Sequence, residues 1–229
     1  MIGIIGAMQI EVDALREKMT DIQTETVSGI EFAVGKLCGH ATVLAKCGIG
    51  KVFAAICAQT MILRYGAKII INTGVAGSLD KRIGITDLAL SLDCVQHDMD
   101  TTPIGDPIGL ISGINIVKIP TDKALCESAI RVAKRLGVNA LAGTIATGDC
   151  FVSSAEKKKS IVENFGAVAC EMEGGAIAHV CYVNGVRCLV IRSISDNADG
   201  SADMDYPEFT KAAAKISTAI TLGLLEEIM

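Results

Sequence analysis

Aromatic residues and metal-binding cysteine pairs are the first things this sequence lacks. Aromatic side chains make up 3% of its 229 residues, and tryptophan is absent. The 9 cysteines are scattered without a CxxC pair, and the 3 histidines show no ligand spacing. We therefore predict no metal site. Free cysteines within apolar segments behave as small hydrophobic residues, and their use here suits a reducing cytoplasm.

Long apolar runs and basic stretches are also missing. No run approaches the ~18 residues of a membrane helix. The N-terminus has no basic leader, and Glu11 interrupts any signal-peptide core. The net charge is −5, without a stripe of Lys and Arg, which argues against nucleic acids and anionic membranes as partners. We predict a cytoplasmic protein that binds neither.

What the sequence does contain is a regular alternation of apolar segments with segments of helical spacing. GIIGAM and KIIINTG are typical of buried strands, and EFAVGKLCG and ATVLAKCG of a hairpin. QIEVDALREKM and KVFAAICAQTMILRYG have helical periodicity, and Thr121 is placed to cap a later helix. This pattern predicts an α/β fold, a single-domain three-layer sandwich over residues 1–229 with a mixed, mostly parallel central sheet flanked by helices.

In such sheets the ligand binds beyond the carboxyl ends of the strands. The apolar segments end at Ala7–Glu11, Asn72–Gly77, Gly148–Val152, Glu171–Glu173 and Arg192–Asp196. A dinucleotide fingerprint starting at Gly6 would need glycine where Met8 and Glu11 stand, and a Walker A loop would need Ser or Thr in place of Val52. The sequence therefore predicts no nucleotide cofactor.

Two carboxylates at these strand ends suggest acid–base chemistry. Glu11 falls in the first turn of a helix, where it either stabilises the helix dipole or stays ionised as a base that activates water. Asp196 follows an apolar strand, where burial favours the neutral form that can give up a proton. Alternatively, Asp196 caps the following turn or pairs with Arg192.

Other strand-end residues suit a nucleoside. Glu171 and Glu173 are two apart on a strand, so their side chains should share one face; they are either solvated acids or acceptors for vicinal sugar hydroxyls. Met172 could pack against the sugar. Phe151 either belongs to the core or stacks on a heterocycle.

Six segments together resemble the 5′-methylthioadenosine/S-adenosylhomocysteine nucleosidases of the purine nucleoside phosphorylase superfamily. The segments are GIIGAMQIEV, KCGIGKV, INTGVAG, GDCFV, EMEGGAIAHV and RSISDNAD, and the resemblance covers essentially the whole chain. That family cleaves the N-glycosidic bond of a 5′-thioadenosine with water. It releases adenine and a 5′-thioribose without a cofactor.

The resemblance also implies roles for individual residues. Asp196 should act on adenine N7 with Ser195 orienting it, and Glu11 should activate the water, with Arg192 in the water's hydrogen-bond network. The remaining substrate-binding residues are implied to be Glu173 and Met172 at the ribose, Phe151 and Val152 at adenine, Ala76 and Gly77 along base and sugar, and Met8, Ile49 and Tyr206 around the 5′-thio group. The segment His97 to Ile104 resembles one that family members contribute across a homodimer interface.

The sequence departs from the family pattern at a few positions. Val75 stands where several relatives carry Ser, and Thr101 and Ile104 stand where some carry Val and Phe. Relative preference among methylthioadenosine, S-adenosylhomocysteine, 5′-deoxyadenosine and aminodeoxyfutalosine therefore stays open. The alternative functions are a phosphate-dependent purine nucleoside phosphorylase and a non-catalytic nucleoside-binding protein. A phosphorylase needs cationic phosphate ligands, and a non-catalytic binding protein has no need of both Glu11 and Asp196.

Overall fold

The computed structural model describes residues 1–198 and 206–228, without the side chains of residues 206 and 207. The strands are β1 (Ile2–Gly6), β2 (Thr20–Val27), β3 (Ile30–Leu37), β4 (His40–Lys46), β5 (Ile69–Ser78), β6 (Leu88–Gln96), β7 (Ile119–Pro120), β8 (Ala140–Thr147), β9 (Ala167–Glu171) and β10 (Arg187–Asp196). The helices are α1 (Gln9–Arg16), α2 (Lys51–Tyr65), α3 (Lys123–Arg135), α4 (Ala155–Phe165), α5 (Gly174–Asn184) and α6 (Tyr206–Glu227).

All the strands belong to one mixed sheet. β5 lies at its centre and pairs in parallel with β1 on one side and β10 on the other. β4 extends the sheet in parallel beyond β1, and β3 and β2 continue it as antiparallel hairpins. β6, β8 and β9 are joined in parallel, and the end of β9 returns to β5 at Gly77 and Ser78. The carboxyl ends of β1, β5 and β10 therefore meet.

Helices cover both faces of the sheet because successive strand side chains point to opposite sides. In β1, Ile5 packs into the apolar cluster that contains α2 and α5. Its neighbour Ile4 packs into the cluster that contains α1, α3 and α6. Ile70 and Ile71 of β5 divide between the two clusters in the same way. The predicted α/β architecture with helices flanking a mixed sheet is confirmed.

Local details differ from the sequence prediction in two places. The strand β2 was not predicted, since its side chains are exposed or only partly buried and give no apolar alternation. The cap of α3 is Asp122 and not Thr121, because the Asp122 carboxylate accepts a hydrogen bond from the Leu125 N–H at 2.9 Å. Thr121 instead donates its hydroxyl to the Ser91 carbonyl.

Over the described residues, none of the helices has both the length and the apolar character that crossing a membrane requires. In the same part of the chain, no group of three or more His, Cys, Asp and Glu side chains is arranged to hold a metal ion.

Candidate active site

The strand ends enclose a cavity of about 630 Å³ that opens to solvent. Its walls come from β5, β9 and β10, from the first turn of α1 and from the loops that follow β1, β4, β8 and β9. The lining residues are Ala7, Met8, Glu11, Ile49, Val75, Ala76, Gly77, Cys150, Phe151, Val152, Cys170, Glu171, Met172, Glu173, Ser195 and Asp196.

Glu11 is held in the cavity wall by backbone donors. It occupies the third position of α1, and one carboxylate oxygen accepts the N–H groups of Ala7 at 2.7 Å and Met8 at 2.8 Å. The other oxygen accepts the Val75 N–H at 3.1 Å. Only 2% of Glu11 is exposed. All three donors fix the carboxylate in one orientation.

The expectation that the helix start keeps Glu11 readily ionised needs correction. Burial raises the pKa of Glu11 above its ordinary value, although Arg192 and the three backbone N–H groups act in the opposite direction. Desolvation of a charge outweighs the partial charges of a helix terminus when the carboxylate is almost fully removed from water. A higher pKa makes the ionised form a stronger base.

Asp196 ends β10 opposite Gly77 of β5. One carboxylate oxygen accepts the Ala198 N–H at 2.8 Å, and the other accepts the Ser195 hydroxyl at 3.0 Å. Asp196 therefore does cap the turn that follows it, while still lining the cavity. A side chain at position 77 would come within 2.8 Å of Asp196 Oδ1, so Gly77 provides the room for this carboxylate.

Arg192 does not line the cavity, although it was predicted to contact substrate and water there. Its side chain is 1% exposed and forms an ion pair with Glu171 and a second with Glu173, at 3.5 Å. It also donates to the Asn72 side-chain oxygen at 2.7 Å. A buried guanidinium needs such acceptors, and they draw Arg192 behind the cavity wall. The alternative of an ion pair between Arg192 and Asp196 is also wrong, because Arg192 forms its ion pairs with Glu171 and Glu173 instead.

Glu173 follows β9 as the residue that precedes α5, so it is not part of the strand that was predicted to carry it. Its carboxylate accepts the Gly50 N–H at 2.8 Å. Burial, followed by the nearby Glu171 carboxylate, raises the pKa of Glu173 to about 7. Near neutral pH this group can therefore either donate or accept a hydrogen bond.

The cavity mouth is apolar and is tied together by polar contacts behind it. Ile49 is 58% exposed and Phe151 is 53% exposed, and both line the mouth. The Lys51 N–H donates to Asp149 Oδ1 at 2.8 Å. The loop that carries Ile49 is thereby joined to the loop that carries Phe151.

Residues 1–226 match the profile of a family described as "Phosphorylase superfamily". The chain belongs to the phosphorylase superfamily.

Similar proteins of this superfamily cover the chain almost completely. The 5′-methylthioadenosine/S-adenosylhomocysteine nucleosidase of Shewanella halifaxensis is 40% identical over 228 residues, 99% of each chain. The aminodeoxyfutalosine nucleosidase of Campylobacter jejuni is 39% identical over 227 residues, again 99% of each. The methylthioadenosine/adenosylhomocysteine nucleosidase of Neisseria meningitidis, solved with methylthio-immucillin-A, has a TM-score of 0.95 and 34% identity, with 99% of both chains covered.

Within this phosphorylase-superfamily fold, the structure brings most of the predicted substrate-binding residues to one cavity. Met8, Ile49, Ala76, Gly77, Phe151, Val152, Met172, Glu173 and Ser195 all line it, with Glu11 and Asp196. The side chain of Tyr206 lies outside the described part of the chain. Sequence reasoning missed Ala7, Cys150 and Cys170 as lining residues, and it proposed no separate role for Glu171. The signal for Cys150 was its place in GDCFV beside Phe151.

Proposed function

We propose that this protein hydrolyses the N-glycosidic bond of 5′-methylthioadenosine and S-adenosylhomocysteine, and also of 5′-deoxyadenosine, to release adenine and the corresponding 5′-substituted ribose. The main support is that two carboxylates from different strand ends, Glu11 and Asp196, line one cavity. Further support comes from the names of the relatives that cover 99% of the chain at about 40% identity. The reaction serves methionine salvage and the recycling of S-adenosylmethionine by-products.

The proposed chemistry divides acid and base work between the two carboxylates. Cleavage of a glycosidic bond passes through a state with oxocarbenium character, so it needs an acid at the leaving base and a base at the water. Asp196, oriented by the Ser195 hydroxyl at 3.0 Å, delivers a proton to adenine N7. Glu11, fixed by three backbone donors, takes a proton from the attacking water. Arg192 acts on Glu11 through its charge from behind the wall.

The remaining lining residues are proposed to hold the nucleoside. Glu173 binds the ribose hydroxyls, and Met172 packs beside the ring. Phe151 stacks on adenine, whose edge is read by the backbone of Val152. The 5′-thio group lies against Met8 and Ile49, with Tyr206 assigned to the same region by the resemblance alone. Ala76 and Gly77 leave room for base and sugar, as small residues must where a ligand comes close to the backbone.

We also propose a homodimer of this single-domain chain (residues 1–229), working in the cytoplasm. Large apolar side chains stay exposed beside the mouth on α2, with Val52 at 70% and Phe53 at 50%. Ile104, in the segment assigned to the partner's cavity, is 81% exposed. An apolar surface of this kind is typical of a contact surface. One sheet containing strands from both halves of the chain supports the single domain.

The deciding experiment is adenine release from 5′-methylthioadenosine, with and without phosphate, for the wild type and Asp196→Asn. We expect release without phosphate and a loss of 10²–10⁴-fold, about 3–5 kcal/mol of barrier, in the variant. A strict phosphate requirement would establish the phosphorylase alternative instead. Tight binding of the nucleoside with no turnover would establish the binding-protein alternative. Aminodeoxyfutalosine belongs in the same substrate panel because its nucleosidase in C. jejuni is 39% identical.

A further inference from the structure

A group of four buried charged side chains lies at the cavity wall, and three of them line the cavity. Glu11, Glu171 and Glu173 supply three carboxyl groups, and Arg192 supplies the guanidinium. Arg192 forms ion pairs with Glu171 and Glu173, and its charge acts on Glu11. Each of the four residues is less than a tenth exposed. One guanidinium cannot neutralise three carboxylates, so this group favours uptake of a proton.

Glu171 makes more contacts in this group than its place in the sequence indicates. One of its oxygens accepts the backbone N–H groups of Glu173 at 3.1 Å and Gly174 at 2.7 Å. The same oxygen takes the ion pair from Arg192, and the other accepts the Thr147 hydroxyl. One side chain therefore fixes the backbone at the start of α5 and the guanidinium that faces Glu173.

We propose that Glu171 is a positioning residue for sugar binding: it holds the backbone of Glu173 and the Arg192 guanidinium in place, and its buried negative charge opposes a second negative charge on Glu173 until the ribose hydroxyls of the substrate bind. This role rests on the proposed function, in which Glu173 binds those hydroxyls. Glu171 also lines the cavity, but in this role it acts on the sugar through Glu173 and Arg192.

The charges around Glu173 come from four segments. Glu171 of β9 and Glu11 of α1 disfavour its ionised form, while Arg192 of β10 and the Gly50 N–H favour it. The Cys47 thiol after β4 stays neutral, because burial raises its pKa to about 12. The resulting pKa of Glu173, about 7, means that the ionised carboxylate becomes available across the neutral range. A carboxylate accepts hydrogen bonds from two vicinal hydroxyls, which its protonated form does less well.

The test is the pH dependence of KM and kcat for 5′-methylthioadenosine between pH 5 and 9, in the wild type and Glu171→Gln. In the wild type we expect KM to fall as pH rises through about 7. Removing the Glu171 charge should move the midpoint of that fall about one pH unit or more towards acid. Thr147→Val is the matched control, since it removes the hydrogen bond to Glu171 and the one accepted from the Gly175 N–H but no charge, and its midpoint should equal that of the wild type. Glu173→Gln should abolish the pH-dependent change in KM altogether.

Calorimetry on the wild type tests the same role if Glu171→Gln does not fold. Binding of a carbon-linked, uncleavable analogue of 5′-methylthioadenosine at pH 6.5, in two buffers of different ionisation enthalpy, should release a proton. An active wild type that releases no proton, or an unchanged KM midpoint in folded Glu171→Gln, would overturn the role of Glu171 alone. A wild type that releases no adenine at any pH would reject the proposed function, and this role with it.

Discussion

Replacing Glu173 by Gln should make the stability of the protein less dependent on pH. Burial and the Glu171 carboxylate raise the pKa of Glu173 from its ordinary value of 4.5 to about 7. Between these two values the folded protein holds a proton that the unfolded chain has released. Its stability therefore falls as pH rises through this window, in contrast to a carboxylate whose pKa is lowered by folding.

The size of the effect follows from the two pKa values. Between pH 5 and pH 8 the raised pKa of Glu173 should remove roughly 2–3 kcal/mol from the free energy of unfolding of the wild type. Glu173→Gln cannot lose this contribution, because its side chain does not titrate. The difference in free energy of unfolding between variant and wild type should then shift by roughly 2–3 kcal/mol in favour of the variant over this range.

The assay is urea denaturation of both proteins at pH 5 and pH 8, followed by circular dichroism and analysed with the linear extrapolation. Glu163→Gln is a suitable control, since Glu163 lies on the exposed side of α4 with its side chain 64% exposed. The difference in free energy of unfolding between Glu163→Gln and the wild type should hardly change with pH. The reasoning is refuted if the Glu173→Gln difference also stays constant between the two pH values.

Two further predictions concern the cavity wall and the proposed dimer. Gly74→Ala places a methyl group against the Arg192 guanidinium and 2.6 Å from Glu11 Oε1, so adenine release should fall by about 10²-fold or more. Gly84→Ala, with open space around it, should keep wild-type activity. Equal rates for the two variants would show that the cavity wall adapts. Phe53→Asp puts a charge on the exposed apolar surface of α2 and should shift sedimentation from dimer to monomer. Leu136→Asp, also exposed but at the end of α3, should leave the dimer intact, and a monomeric wild type would contradict the proposed homodimer.

The architecture could be read from the sequence because its signals are local. Apolar runs such as KIIINTG are typical of buried strands between two helical layers, and the helix that begins at Lys51 stops before Gly66, the last residue of KVFAAICAQTMILRYG, which adopts the left-handed conformation. Strand β2 was not predicted because its signal is not local. It is exposed and is specified by its pairing with β3, so its sequence shows almost no hydrophobic alternation.

The candidate site was predicted as a set of strand ends, and the structure brings those ends together around one cavity. The sequence did not indicate which charged side chains line the cavity and which lie behind its wall. Arg192 looks like its neighbours in the sequence, yet it lies behind the cavity wall and forms an ion pair there with Glu171, which lines the cavity. The position of each charged side chain depends on the ion pairs that it forms with residues of other strands. These residues are far apart in the sequence, so local spacing does not predict the ion pairs.

By itself, then, the sequence determined the alternation of strands and helices, the strand ends that carry chemistry, and the family. Only the tertiary structure decided the protonation of the site. Glu11 was expected to be kept ionised by its helix, but burial raises its pKa, and the proximity of Glu171 contributes to raising that of Glu173 to about 7. Desolvation and charge–charge interactions depend on distances between residues that lie far apart in the chain, so they exist only once the fold has formed.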